Sequence, residues 1–280
     1  MFKPILASAA ALTLFACAHT ASVQLPEGAR YVNMGSSFAA GAGTGPAPEG
    51  STPRCYQSTL SYAHLLAARM HLALTDVSCG GATSTHLIGP WNELPAQIEA
   101  VTADTRLVTI TVGGNDVAYA ANLIAGSCEQ SEIIHAAGLA LPCPHAFPVA
   151  EDAFAHLEAN LRALTQQLAQ RAPHARVVFI QYVTLAPRTQ CANSRLSDEV
   201  AARLRATGVR LAEITARVAR DSGATLLPMD VLSRDHTTCD AEPWSLGLPR
   251  DYQESQGAPW HPNRRAQEVI AQKLEEVIAR

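Results

Sequence analysis

Two segments, Arg106 to Val112 (RLVTITV) and Arg176 to Val183 (RVVFIQYV), are β-branched and mostly apolar. Such runs belong to strands covered on both faces, because a strand with one wet face alternates apolar and polar residues. Ala29 to Met34, Thr75 to Cys79 and Ala224 to Met229 read as three further short strands. Helical patterns lie between them. In Asp152 to Arg171, Phe154, Leu157, Leu161, Leu164 and Leu168 recur every three or four residues, and Pro173 ends the run. A second helix starts at Ser197, a suitable N-cap, with Asp198 and Glu199 in the first turn and Val200, Leu204, Leu211, Ile214 and Val218 as its apolar stripe. Ser61 to Leu72 and Asn263 to Arg280 complete the set. Strands alternating with helices predict an α/β chain: a central, mainly parallel five-stranded sheet between two helical layers. Without a repeat or a dividing linker, residues 27–280 form one domain.

A hydrophobic share of 48% supports a sizeable core, and 21 Lys and Arg against 25 Asp and Glu leave no basic run for nucleic acid. Residues 1–18 read as an export signal: Lys3 supplies a charge and Pro4 to Ala18 is almost wholly apolar or small, too short to span a bilayer. Two endings compete. Ala16-Cys17-Ala18 fits cleavage after Ala18, and Leu14-Phe15-Ala16-Cys17 resembles a lipobox, with cleavage before Cys17 and lipidation of that Cys. Setting Cys17 aside, the seven Cys leave six: Cys55, Cys79, Cys128, Cys143, Cys191 and Cys239. Their wide spacing without a CxxC predicts no metal site, and an exported chain predicts three disulfides. Six Cys allow fifteen pairings; the sequential one closes the shortest loops.

Chemistry concentrates in four short segments. Gly35-Ser36-Ser37-Phe38-Ala39-Ala40-Gly41 follows the first strand and offers a hydroxyl on a tight turn. Cys79-Gly80-Gly81-Ala82-Thr83 follows the second, where Gly lets the backbone bring an N–H close to a ligand. Gly113-Gly114-Asn115-Asp116 follows the third, and an Asn amide is a good oxyanion donor. Trp260-His261-Pro262-Asn263 precedes the last helix and supplies an imidazole. Each alone is an ordinary turn. All lie where sites form in parallel sheets, at the carboxyl ends of strands or beside them.

Together and in this order, the four segments resemble the blocks of the SGNH (GDSL-like) hydrolase superfamily. GSSFAAG is similar to its first block, with the nucleophile third, hence Ser37; it is not the GxSxG elbow of α/β-hydrolases. CGGAT is similar to the second block, GGND matches the third and HPN the last. TADTRLVTITVGGND and MDVLSRDHTTC resemble actinomycete-type secreted esterases and lipases, over about residues 30 to 275. The resemblance implies a flavodoxin-like three-layer fold and three sequential disulfides. It also implies an acyl-enzyme on Ser37 with His261 as base, and an oxyanion hole of Ser37, Gly81 and Asn115. No cofactor is expected, and the partner is a small-molecule or lipid ester met by a monomer. Membrane association is expected only through lipidated Cys17, with the protein otherwise secreted or periplasmic.

The chain departs from the family pattern twice. Ser36 replaces the first-block Asp, which alters turn bonding without removing a catalytic group. The triad Asp expected three residues before the His is Ala258. Some secreted relatives orient the His through a backbone carbonyl, and the Ala258 carbonyl is the first candidate here. Asp235 and Asp251 are the carboxylates that the fold would otherwise bring close. Asp116 is read as structural and His236 as non-catalytic, with Trp91 and Trp244 as packing aromatics. Loops 42–54, 84–95 and 120–148 are expected to build the acyl pocket, and short- to medium-chain or lipid esters are the expected substrates. The alternatives are a carbohydrate O-acetyl esterase and a catalytically silent envelope lipoprotein.

Overall fold

The computed structural model describes residues 25–136 and 139–279. The export signal read at residues 1–18, with Cys17, lies outside the described residues. In chain order the elements are β1 (Arg30–Gly35), α1 (Ser37–Ala40), α2 (Tyr62–Met70), β2 (Ala73–Asp76), α3 (Ser84–Ile88), β3 (Thr105–Thr111) and α4 (Tyr119–Ser127). There follow β4 (Ile133–Ala136), β5 (Leu139–Pro142), α5 (Ala153–Arg171), β6 (Arg176–Ile180), α6 (Asp198–Ser222), β7 (Thr225–Leu227), α7 (Met229–Leu232) and α8 (Arg264–Ile278).

The sheet has five strands in the order β2-β1-β3-β6-β7, every pair parallel. Its middle strands are buried on both faces, as their apolar runs require: Tyr31, Val32 and Met34 in β1, and Leu107, Val108 and Ile110 in β3. Helices α2 and α8 pack on each other, and α5 packs on α3 and α6. The apolar stripes are the buried ones: Phe154 through Leu168 on α5, and Leu204, Leu211, Ile214 and Val218 on α6. Ser197 and Asn263 cap α6 and α8 by accepting from the N–H groups of Val200 and Ala266. This is the three-layer α/β/α arrangement of the SGNH hydrolases.

Two strands beside the site end earlier than expected. β2 ends at Asp76 rather than Cys79, because the Asp76 carboxylate accepts from the Ser78 N–H (3.1 Å) and hydroxyl (2.6 Å) and turns the chain. β6 ends at Ile180 rather than Val183, and Tyr182 leaves the sheet to bond inward. Residues 120–148, expected as a loop of the acyl pocket, are more than a loop, and Ile133, Leu139 and Leu141 within them face solvent. The stretch holds α4 and an antiparallel hairpin, β4–β5, stapled by the Cys128–Cys143 disulfide. The other disulfides join Cys55 to Cys79 and Cys191 to Cys239, so all three pairs are sequential. Among the described residues no helix is long and apolar enough to cross a membrane.

Candidate active site

β1 runs into a one-turn helix, α1, that begins at Ser37. The crossing is tight. Gly35 has φ 138°, and a Cβ there would fall 2.2 Å from the Thr111 carbonyl oxygen of β3, so only glycine fits. The neighbouring Ser36 N–H donates to that same carbonyl (3.0 Å). Buried Gln97 holds Gly35 from both sides: its Oε1 accepts from the Gly35 N–H (2.7 Å) and its Nε2 donates to the Gly35 carbonyl (3.0 Å). Ser36 points inward, and its hydroxyl shares a hydrogen bond with Tyr182 Oη (3.2 Å). Tyr182 Oη also accepts from the Gly114 N–H (2.9 Å). One phenol therefore ties the turn of Ser37 to the loop of Asn115. Burial pushes Tyr182 up to about 12, which keeps that hydroxyl protonated.

Ser37 Oγ lies 2.7 Å from His261 Nε2. The His261 ring packs 4.7 Å from Phe38, and its Nδ1 lies 2.8 Å from the carbonyl oxygen of Pro259. This corrects the expectation at Ala258. The Ala258 carbonyl accepts from the His261 backbone N–H (3.3 Å) and does not touch the ring. The cause is Trp260, whose φ of 56° turns the chain so sharply that the Pro259 carbonyl, not its predecessor, faces the imidazole. A left-handed tryptophan costs about 1 kcal/mol or more and persists only where its surroundings fix it. Here the side chain is fully buried, and its Nε1 donates to Ser127 Oγ (2.9 Å) at the end of α4. Asp235 and Asp251 are exposed, and neither carboxylate bonds to His261.

The proton arrangement follows from chemistry. A carbonyl oxygen only accepts, so Nδ1 carries the hydrogen and Nε2 presents a lone pair to the Ser37 hydroxyl. Burial pushes the His261 pKa down, and the Pro259 hydrogen bond opposes it in part. The downward shift favours the neutral imidazole.

Gly81 has φ 83°, and Gly80 is pinned to Cys55 by its N–H (2.8 Å) as well as by the neighbouring disulfide. The N–H groups of Ser37 and Gly81 have no acceptor among the described residues. One N–H of the Asn115 amide donates to the Ala82 carbonyl (2.9 Å), which fixes the side chain and leaves the other free. Asp116 is structural as expected. Its carboxylate accepts from the Ser84 N–H (3.1 and 3.0 Å) and hydroxyl, locking the GGND loop to α3. Burial pushes its carboxyl up against those bonds.

The remaining residues singled out from sequence divide. Trp91 stacks on His86 (4.3 Å) under the Arg54 guanidinium, with its edge against Gly81. Trp244 stacks on His236 (3.9 Å), and His236 Nδ1 bonds the Glu242 carbonyl (2.8 Å). A cavity of about 610 Å³ opens beside the Gly81 loop, lined by parts of loops 48–52 and 86–100. Ser37, Asn115 and His261 do not line it. Sequence reasoning missed Pro259, Tyr182 and Gln97. None belongs to a block, and each acts only through a turn that the fold creates.

A serine–histidine pair at the carboxyl edge of a parallel sheet, with backbone N–H groups left without acceptors in the neighbouring turns, is the arrangement of a serine-dependent acyl hydrolase. Residues 34–269 match the model of the GDSL-like Lipase/Acylhydrolase family. The chain belongs to that family and is a carboxylic ester hydrolase of its type. It is 30% identical to Lipase 2 of Streptomyces coelicolor, over 94% of this chain and 90% of that protein. Among solved structures, an extracellular lipase from Streptomyces rimosus superposes with a TM-score of 0.68 at 25% identity, covering 89% of this chain and 99% of the other. Phospholipase A1 from Streptomyces albidoflavus shares the fold, with a TM-score of 0.69 at 21% identity over 89% and 99% of the two chains.

Proposed function

We propose that the protein is an exported serine esterase that cleaves short- to medium-chain acyl or lipid esters through an acyl-enzyme on Ser37. The observation that carries this reading is the Ser37 Oγ–His261 Nε2 contact of 2.7 Å, on a histidine whose tautomer the Pro259 carbonyl sets. In the first half-reaction the Ser37 hydroxyl proton passes to Nε2 as Oγ bonds the ester carbonyl carbon. The resulting oxyanion sits among the N–H groups of Ser37 and Gly81 and the free amide N–H of Asn115. The tetrahedral intermediate expels the alcohol, which leaves with the proton from Nε2. Water then repeats the sequence: His261 takes its proton, the hydroxide adds to the acyl carbon, and the carboxylic acid departs as Ser37 recovers its hydrogen.

No carboxylate is required for this cycle. The Pro259 carbonyl fixes the tautomer and stabilises the imidazolium by one hydrogen bond, a weaker aid than a full negative charge. Export is supported by three disulfides, by the leader pattern at residues 1–18 and by the extracellular S. rimosus relative. The test is hydrolysis of p-nitrophenyl acetate, butyrate and octanoate beside Ser37→Ala and His261→Ala. Turnover by the wild type and loss in both variants is expected, and the chain-length trend selects the substrate. Equal inertness of all three proteins on these esters and on acetylated sugars overturns the reading in favour of a binding protein.

A further inference from the structure

Nine large apolar side chains are exposed among the described residues, and five of them fall within one short stretch: Ile133, Leu139, Leu141, Phe147 and Val149, 40 to 58% exposed. Apolar residues scattered singly are ordinary on a surface; a cluster of this kind marks a contact. These five sit on the β4–β5 hairpin and the segment after it. Ile133 pairs with Pro142, Ile134 with Leu141 and Ala136 with Leu139. Paired residues share a face and successive pairs alternate, so Ile133 lies on one face and Leu139 and Leu141 on the other. An isolated two-stranded ribbon is marginal in water, and this one shows apolar groups on both sides. It is held in place by other means. The Cys128–Cys143 disulfide closes its base, Ile134 packs on the main core, and Asn122 bonds the Phe147 backbone through N–H (2.8 Å) and carbonyl (3.1 Å).

The ribbon is continuous with the active site. Helix α4 leads into it, and the first N–H of α4, from Tyr119, donates to the Gly114 carbonyl (2.7 Å) in the GGND loop. The last residue of α4, Ser127, accepts from Trp260, next to His261. The stretch is also without cations: no Lys or Arg occurs between Arg106 and Arg162. The acidic groups at its base are neutralised, since Arg195 and Arg250 both bond Glu132 (2.6 and 2.8 Å) and Arg250 bonds Glu129.

We propose that this hairpin docks the enzyme on the surface of an uncharged lipid or ester aggregate, beside the site that cleaves it. A fluid apolar layer wets both faces of a ribbon, whereas a flat protein partner covers one. The absence of basic residues points to neutral headgroups, because anionic membranes are bound through Lys and Arg. This mode of membrane contact does not depend on an acyl group at Cys17. It relies on the ester-hydrolase reading only for what the aggregate is made of.

Sedimentation with phosphatidylcholine vesicles tests it. The exported protein carrying Cys17→Ser has no lipid at that position, and it is compared with the same protein bearing Ile133→Ser, Leu139→Ser and Leu141→Ser together. The parent is expected to bind neutral vesicles equally at low and high salt. The triple variant is expected to bind about tenfold or more weaker, from lost apolar burial. Both proteins keep the same rate on monomeric p-nitrophenyl acetate, which shows that the variant is folded. Failure of the parent to bind, equal binding by the variant, or salt-sensitive capture only by phosphatidylglycerol vesicles overturns the proposal. So does a parent dimer that the triple substitution dissolves, since the patch is then a self-interface. Vesicle binding without ester hydrolysis leaves docking intact and removes the proposed activity instead.

Discussion

His64 and His261 each have an acceptor beside one ring nitrogen, and the two acceptors differ in kind. His64 Nε2 lies 3.7 Å from Asp76 Oδ2, on a side chain only 6% exposed, in the wall of the 610 Å³ cavity. His261 has no carboxylate at all, only the Pro259 carbonyl at 2.8 Å. Judged by the partner that usually accompanies a catalytic imidazole, His64 is the better candidate. Judged by what the other ring nitrogen reaches, it is not, since only His261 meets a serine hydroxyl. A base needs a lone pair aimed at the proton it removes, and a neutral acceptor on the far nitrogen suffices to aim it. Among the described residues no serine hydroxyl bonds to the His64 ring. Asp76 instead works as a bracket, with Oδ1 accepting from Asn33 (2.9 Å) and from Ser78.

The largest expected effect divides the two histidines outright. Ser37→Ala and His261→Ala should each lower kcat on the order of 10⁴-fold or more, and the double variant should be no worse than either, because the pair acts as a unit. His64→Ala should stay within about twofold of wild type, since it bonds to none of the reacting groups. Steady-state kinetics on p-nitrophenyl butyrate decides this, and the comparison breaks if His64→Ala falls with the other two. Next in size, Asn115→Ala removes one oxyanion donor and should cost on the order of 10² to 10³ in kcat with little change in KM.

Much of this was legible because the site is made of backbone turns. Gly35, Gly81 and Gly113 all have positive φ, and glycine on such turns after apolar runs is what a parallel sheet needs at its carboxyl edge. The five strands were legible from β-branched runs, and the helices from their stripes. The link between Ser37 and His261, 224 residues apart, came from resemblance and not from spacing. Two features stayed hidden. The choice of Pro259 over Ala258 depends on the backbone of Trp260, and no residue type announces a left-handed tryptophan. The β4–β5 ribbon gave no strand signal because its stability comes from a disulfide and an asparagine clamp, not from hydrophobic alternation over a core.

The missing carboxylate makes a pH prediction. Burial lowers the His261 pKa with no negative charge to oppose it, so the acid limb of kcat/KM should lie below the ordinary imidazole value of about 6.5. Ala258→Asp restores the spacing of a triad. A carboxylate near the ring favours imidazolium and raises its pKa, so the acid limb should move to higher pH, by about one unit. A pH–rate profile of the two proteins measures the shift. An unmoved limb means that the introduced carboxylate does not reach the ring, and that the Pro259 carbonyl alone governs His261.

The smallest effect on activity is expected from Asp76→Asn, which removes the carboxylate that faces His64. Its Oδ1 receives all the hydrogen bonds, while Oδ2 has none. An amide oxygen can take the first role, and an amide nitrogen loses nothing in the second. kcat should therefore stay within about twofold, as for other changes remote from the reacting groups. Stability should respond instead. Burial raises the Asp76 pKa, with the Ser78 and Asn33 hydrogen bonds opposing it, so the folded state holds this proton more tightly than the unfolded chain. That contribution is full below the unfolded value of about 3.9 and is lost as pH rises through the folded one. Above it the wild type keeps a buried charge and the variant does not. The thermal midpoint of Asp76→Asn relative to wild type should thus rise between acid and neutral pH, which melting curves across that range measure. If the variant instead loses activity tenfold with its melting curve unchanged, Asp76 acts on the nucleophile turn through Asn33, which also donates to the Ala39 carbonyl (3.2 Å) of α1. The contrast between an idle and a working histidine would then have to be redrawn, with the carboxylate of the idle pair serving the site from behind.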